Sequence, residues 1–412
     1  MSRSWVAKRR ERVAAQLAAK QLLILFSGLD EDAAIDSDFA YLTDFWDNQA
    51  VLVVLPDGSA HFYTDRYQLD KVRWNGPYEE TSATLQERLE LTKFGTLAEA
   101  RRDLMRLLPR YAQLVTNFAV CQPKQPHPWL LELLKELKLK LDISDSSQLL
   151  QPFRCIKDNE ELQRLTTATK ATYIALQSTY NELPRFTYEY EAAAHFNYIL
   201  HRQQLDTGFA SIVASGKNAG FMHYARQRGY IKDRQLMLMD VGARYRGYCA
   251  DVTRTFMVNR TCSKSKRAPS LIKAVWDLVK LTQDQLAQAV RPQVSWQDLQ
   301  QLADQQLAQG LKDLGVLKGS MAEIMETKSF KAFTIHRLGH FVGLDVHDVG
   351  DYRQKLQAGM TITIEPGVYL LGDSKHEAIN VRLEDVMLVT SNGGRWLVPR
   401  ENYAFPVNLS GN

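Results

Sequence analysis

The chain has 412 residues, enough for two domains that each bury a core. An apolar share of 45% and a charged share of 24% are ordinary for a soluble globular protein. Basic residues outnumber acidic ones only 51 to 47, which speaks against a nucleic-acid track or a polybasic membrane patch.

The first twenty residues are Arg-rich and helical, as mitochondrial presequences are. Because that helix runs directly into the strand-like QLLILFSG, it reads as an ordinary first element and the protein as cytoplasmic. The apolar run Leu22–Phe26 is too short for a signal segment or a membrane span. Ala50–Asp65 has the alternation of a hairpin with Asp57-Gly58 at its turn. A helix near Leu97–Leu108, a strand at LVTNFAV, a helix near Trp129–Leu137 and a strand at LDISD complete an α/β domain over residues 1–150. The boundary, placed by element grouping, falls near Gln151–Lys157. The four cysteines (Cys121, Cys155, Cys249, Cys262) form no CxxC pair, which argues against a disulfide framework and a thiolate zinc site.

In residues 151–412, helices at about Glu160–Leu183 and Tyr188–Gln204 precede apolar strands. Helices at about Ser270–Val290 and Trp296–Leu311 precede a second set. Ser295, with Asp298 three residues on, has the spacing of a capping box. The repeat suggests two related halves around one sheet, and the whole chain an α/β (α+β) fold.

LMLMDVGARYRGYCADVTRTFMV (Leu236–Val258) reads as an antiparallel hairpin. With its turn between Tyr245 and Arg246, Asp240 and Asp251 face each other, about 5 Å apart at Cβ. TITIEPGVYLLGDSKHEAINVRLEDVMLV repeats the construction. A turn near Ser374–Lys375 pairs Glu365 with Glu384, although Pro366 interrupts the strand. Opposed like charges destabilise a hairpin unless something neutralises them. Two divalent cations balance four carboxylates and acidify a bridging water. TIHRLGHFVGLDVHD supplies His336, His340 and His347, with His340 as the single imidazole ligand. Oxygen-rich ligation with one histidine favours Mn²⁺, Co²⁺ or Fe²⁺ over a structural zinc site. The reaction class is hydroxide attack on a carbonyl, with a carboxylate as general base and imidazoles at the oxyanion.

The stretches MDVGARYRGYCADVTRTF, HRLGHFVGLDVHDVG, TIEPGVY and VRLED resemble those of the M24 metallopeptidases, the pita-bread family of methionine aminopeptidase, Xaa-Pro aminopeptidase, prolidase and creatinase. SDFAYLTDFWDNQAVLVV is similar to the N-terminal domain of the Xaa-Pro aminopeptidases and prolidases. The resemblance implies an N-terminal aminopeptidase P/creatinase-like domain over 1–150 and a catalytic pita-bread domain over 151–412. It assigns Asp240 to one metal and His340 and Glu365 to a second, with Asp251 and Glu384 bridging. For the metals themselves, Mn²⁺ is the first expectation from this donor set, with Co²⁺, Fe²⁺ or Zn²⁺ as alternatives. Glu365 becomes the general base, His223 a substrate contact, His347 the stabiliser of the tetrahedral intermediate and His336 a residue of the proline-side pocket. Tyr369 and Arg382 match a pair implicated in proton relay to Asp240.

The activity implied is removal of an N-terminal residue that precedes proline, from a homo-dimer or tetramer. Prolidase action on dipeptides is the alternative. A metal-free creatinase-like enzyme and a pseudoenzyme binding module both predict eroded ligands, whereas this chain keeps all five. Arg337, Ala378 and Asn380 stand where relatives usually have glycine, and Phe209 where they often have tyrosine. Cys249 reads as a small core residue.

Overall fold

QLLILF is apolar at five successive positions because strand β1 (Gln21–Phe26) lies in the middle of a sheet covered on both faces. In the computed structural model, which describes residues 4–28, 34–119, 125–260, 270–372 and 377–400, β1 pairs antiparallel with β2 (Ala50–Val54) and parallel with β5 (Gln113–Thr116). With β3 (Ala60–Thr64), β4 (Lys93–Gly95) and β6 (Asp142–Asp145) the six strands run in the order β4-β3-β2-β1-β5-β6. The β2–β3 hairpin turns where expected: Gly58 adopts φ 86° and its N–H donates to the Leu55 carbonyl. Helices α1 (Leu97–Leu107) and α2 (Pro128–Glu136) cover one face through Leu104, Leu130 and Leu133.

The chain divides into two compact units, Met1–Arg154 and Cys155–Asn412. A boundary at 150 falls inside a helix, Ser146–Cys155, which continues across Pro152. The observed split lies within the Gln151–Lys157 window that element grouping gives. No helix among the described residues is long and apolar enough to cross a membrane. Cys155 and Cys249 are buried free thiols, and Cys121 and Cys262 lie outside the described residues.

In the second unit, helices α3 (Asn159–Glu182) and α4 (Glu189–His201) pack on a sheet of β7 (Ile212–Ser215), β8 (Leu236–Val241) and β9 (Val252–Met257). Helices α5 (Ser270–Ala289) and α6 (Trp296–Asp313) contribute to the cores around β10 (Thr361–Ile364), β11 (Gly367–Leu370), β12 (Ile379–Arg382) and β13 (Asp385–Thr390), the last of which also pairs with β14 (Gly393–Trp396). Ser295 caps α6 in a full capping box with Asp298. Among the described residues the halves do not share one continuous sheet. Their inner strands meet through Glu384 N–H donating to Thr253 O at 3.1 Å, and through the Thr255 hydroxyl, which donates to Arg382 O at 3.0 Å.

The two acid hairpins differ in register from each other. Around Arg246 (φ 45°) and Gly247 (φ 86°) the first makes a tight turn with both central residues left-handed, pairing Tyr245 with Tyr248. The turn therefore sits one residue later than expected. Asp240 faces Thr253 rather than Asp251. A slip of two residues preserves the face, so Asp251 stays diagonal to Asp240 on the same side. In the second hairpin Ile364 pairs with Asp385 and Gly367 with Arg382. Glu365 and Glu384 fall opposite each other in the gap between those ladders, as the expected register requires. Pro366 has no N–H to give there. The expected turn at Ser374–Lys375 lies outside the described residues.

Candidate active site

Neither His336, His340 nor His347 lies on a named strand; all three sit in an irregular segment threaded past β10. Thr363 N–H donates to His340 O and Glu365 N–H to Leu338 O, both at 2.8 Å. Between them Gly339 passes so close that a Cβ would stand 2.1 Å from Thr363 O. Only glycine permits that approach, and it brings the His340 ring beside the acids. His340 Nδ1 donates to Phe341 O at 3.0 Å, leaving the Nε2 lone pair free. Nε2 lies 3.3 Å from Asp251 Oδ2, 3.6 Å from Glu365 Oε1 and 3.8 Å from Glu384 Oε1.

This cluster is short of positive charge. Asp251 Oδ1 and Glu384 Oε1 are buried and accept no hydrogen bond. Burial first, then the charges of Glu384 and Asp240, push Asp251 well above the usual carboxylate range. Burial and Glu384 do the same to Glu365. Burial and Asp240 push Glu384 up to about 7. Unmet oxygens and mutual repulsion both fit this donor set to cations: ligand atoms of Asp251, His340 and Glu384 lie within 4.8 Å of one another.

Arg382 is the fixed cation of the site. Its Nη2 donates to Asp240 Oδ2 at 2.5 Å, its Nη1 to Tyr369 OH at 3.1 Å and its Nε to Thr253 Oγ1 at 3.1 Å. Burial, with Arg382 next, lowers His336 to about 4, so its ring is neutral at pH 7. His336 Nδ1 donates to Arg337 O at 2.8 Å, and Nε2 therefore accepts from Tyr369 OH at 2.7 Å. The Tyr369 proton is thus committed to His336, and Tyr369 reaches Asp240 only through Arg382.

A cavity of about 440 Å³ brings together Asp240, Asp251, His223, His336, His340, His347, Glu365, Arg382 and Glu384, with Phe209, Ile212, Met222 and Val346 as apolar wall. Tyr369 stands behind this lining. The His347 ring meets His340 edge-on at 4.4 Å, and loss of water around it, with His340 next, lowers its pKa. His223 is exposed in a turn region. Arg337, which stands where relatives usually have glycine, keeps clear of the site. It is exposed, its guanidinium stacks 5.7 Å over Tyr352, and it does not line the cavity. Cys249 is core: burial raises its thiol to about 12.

Several supporting residues escaped the sequence reading. Thr253 donates to Glu384 Oε2 at 2.7 Å. Arg254 donates to Glu384 O at 2.7 Å and to Asp385 Oδ1 at 2.6 Å, and Tyr173 donates to that same carboxylate. The buried pair Lys157–Asp348, at 2.9 Å, anchors the segment that carries His347. Glu189, fully buried, accepts from Ser215 N at 2.6 Å, Ser215 Oγ at 2.8 Å, Asn218 Nδ2 at 3.0 Å, Tyr224 OH at 2.8 Å and Gly229 N at 2.7 Å. It thereby fixes the segment that presents His223. Threonine and arginine inside an apolar strand were a readable signal for the first group. Glu189 looks like any acid in a first helical turn.

The model of the family described as metallopeptidase family M24 matches residues 163–391. The chain belongs to that family. A Xaa-Pro aminopeptidase of Haemophilus influenzae is 31% identical across 96% of this chain and 94% of its own length. That of Escherichia coli is 26% identical across 95% and 94%. Among solved structures, aminopeptidase PepP of Pseudomonas aeruginosa matches with a TM-score of 0.85 over 95% of this chain and 93% of its own, at 25% identity. Escherichia coli aminopeptidase P with the inhibitor Pro-Leu gives 0.86 over 98% and 97%, at an identity of 24% that speaks for the fold alone. The M24 chain is therefore a hydrolase of the metallo-aminopeptidase kind, with the mixed α/β fold of these structures.

Proposed function

We propose that this enzyme removes an N-terminal residue preceding proline, using two divalent cations held by Asp240, Asp251, His340, Glu365 and Glu384. The observation that carries the reading is the convergence of His340 Nε2 on three carboxylates, two of which keep an unmet buried oxygen. When bound, such ions polarise the scissile carbonyl and bring a coordinated water into the pKa range where it serves as nucleophile near neutral pH.

The chain's own groups do the rest. Glu365 accepts the proton of the attacking water at a carboxylate oxygen. It then passes that proton to the leaving proline nitrogen, an amide nitrogen that carries no hydrogen of its own. His347, a neutral imidazole on the cavity wall, donates to the oxyanion, and His223 holds the substrate from the same wall. Arg382 restrains Asp240 and, through Tyr369, the His336 ring that faces the proline. Phe209, Ile212, Met222 and Val346 offer the proline ring an apolar surface.

Mn²⁺ is the metal this oxygen-rich donor set favours. The site adjoins a second open cavity, described below, which favours peptides longer than the dipeptides of a prolidase. The test is calorimetric titration of Mn²⁺ into chelator-treated protein, followed by hydrolysis of Ala-Pro-Ala against Ala-Pro. Two ions bound and a preference for the tripeptide are expected. Turnover restricted to the dipeptide sinks the aminopeptidase reading, and turnover indifferent to exhaustive chelation sinks the metal mechanism.

A further inference from the structure

Beyond His223 the segment Phe221–Gly229 turns along a second cavity of about 640 Å³, lined by Asn218, Tyr224, Ala225, Arg226, Arg228 and Gly229. Tyr224 and Ala225 line both cavities, so a chain leaving the first is led into the second. The second cavity has an uneven charge. Arg226 and Arg228 are both exposed, and among the described residues neither guanidinium makes an ion pair or a side-chain hydrogen bond.

The remaining polar groups of that wall are already used. Asn218 Nδ2 donates to Glu189 and to Tyr224 OH at 3.0 Å. Tyr224 OH donates to Glu189 Oε2 and accepts from Arg228 N–H at 3.3 Å. Glu189, the acid behind this wall, is buried and takes five donors, so it is not free to turn outward to either arginine. What faces the cavity with unspent capacity is two guanidinium groups, two positions apart on a backbone pinned from below.

We infer that Arg226 and Arg228 form an anion-recognising extension of the substrate site, which takes a peptide carboxylate downstream of the scissile bond. The ligand is either the C-terminal carboxylate of a short peptide or an acidic side chain. Planar guanidinium forks match a carboxylate through paired hydrogen bonds, which a lone ammonium cannot do. An enzyme that hydrolyses Xaa-Pro bonds gains from this a selection among peptides that share the same first two residues. The inference rests on the peptidase reading above, and the test separates the two.

Three substrates are compared at equal metal loading: Ala-Pro-Ala with a free C-terminus, its C-terminal amide, and the amide of Ala-Pro-Asp. In the wild-type enzyme at least one carboxylate-bearing peptide should exceed the neutral amide in kcat/KM by roughly 3- to 30-fold, mostly through KM, with the gain shrinking as salt rises. The double variant R226Q/R228Q should lose that ratio, and R226E/R228E should invert it in favour of a fourth peptide, Ala-Pro-Lys amide. A preference confined to the free C-terminus identifies the terminal carboxylate as ligand; one shared by the aspartyl amide identifies any carboxylate at that distance. Equal kcat/KM for all three wild-type reactions, or a ratio that survives both double variants, overturns the subsite while leaving the peptidase reading intact. No turnover of any peptide by the metal-loaded wild type overturns both.

Discussion

Two groups of buried carboxylates lie in the same unit and behave as opposites. Glu189 is fully buried yet surrounded by five donors. Asp251 and Glu384 are as deeply placed, crowd each other and Asp240, and keep oxygens that nothing satisfies. Burial alone therefore says little about what an acid does. A carboxylate whose oxygens are all met by protein donors is part of the scaffold; one left short of positive charge is held ready for a cation.

The most severe way to break this contrast is Asp251→Ala. It should abolish uptake of the second metal ion and lower kcat/KM by roughly 10³-fold or more, measured by titration calorimetry and peptide hydrolysis. A variant that still binds two ions per chain would falsify the assignment of Asp251 as a shared ligand.

The pH dependence of the metal-free protein sharpens it next. Glu384 goes from 4.5 to about 7 on folding, so between those values the folded chain holds a proton that the unfolded chain has released. Stability of the metal-free protein should therefore fall as pH rises from about 4.5 through 7, by on the order of 3 kcal/mol, and stay low above that. Raised values at Asp251 and Glu365 act in the same direction. Saturating Mn²⁺ should reverse the trend above pH 7. Urea midpoints that are flat with pH in the metal-free protein contradict the repulsion invoked here.

Glu189→Gln should cost about 2–3 kcal/mol, because an amide cannot accept from all five donors, while metal stoichiometry stays at the wild-type value. Loss of metal without loss of thermal stability would place Glu189 in the wrong group. Tyr369→Phe removes the hydroxyl between His336 and Arg382, and a fall in kcat of about tenfold at unchanged metal affinity is expected. The smallest effect belongs to Arg337→Ala: an exposed guanidinium stacked on Tyr352 should change stability by only about 0.5 kcal/mol and kcat/KM by less than about twofold.

Much of this was legible in the residues. Asp240, Asp251, Glu365 and Glu384 stand out as acids beside or within apolar runs, and all four line one cavity. The register of the second hairpin could be set from its sequence, whereas that of the first could not. A left-handed turn at Arg246-Gly247 moved the pairing by two, and arginine gives no warning of a positive φ. The two cavities differ in the same way. Histidines and acids announce the first. The second depends on which donors Glu189 consumes, a question of partners that spacing does not encode. The seam was misjudged because Thr253, Thr255 and Arg382 join the halves through side-chain bonds, whereas the boundary expected near Gln151–Lys157 brackets the observed split at Arg154–Cys155.

The join between the halves of the second unit runs through the acid cluster itself. Glu384 is bound to Thr253 twice, by its N–H at 3.1 Å and by its carboxylate at 2.7 Å. Asp240 and Asp251 come from one half, while His340, Glu365 and Glu384 come from the other. On the proposed ligand assignment, ions bound at this cluster would rivet the halves at the point where their own charges push them apart, so the cofactor would double as a fastener. Metal scarcity would then loosen the molecule from its catalytic centre outward, and amides on both sides of the rivet should become the first to exchange with solvent.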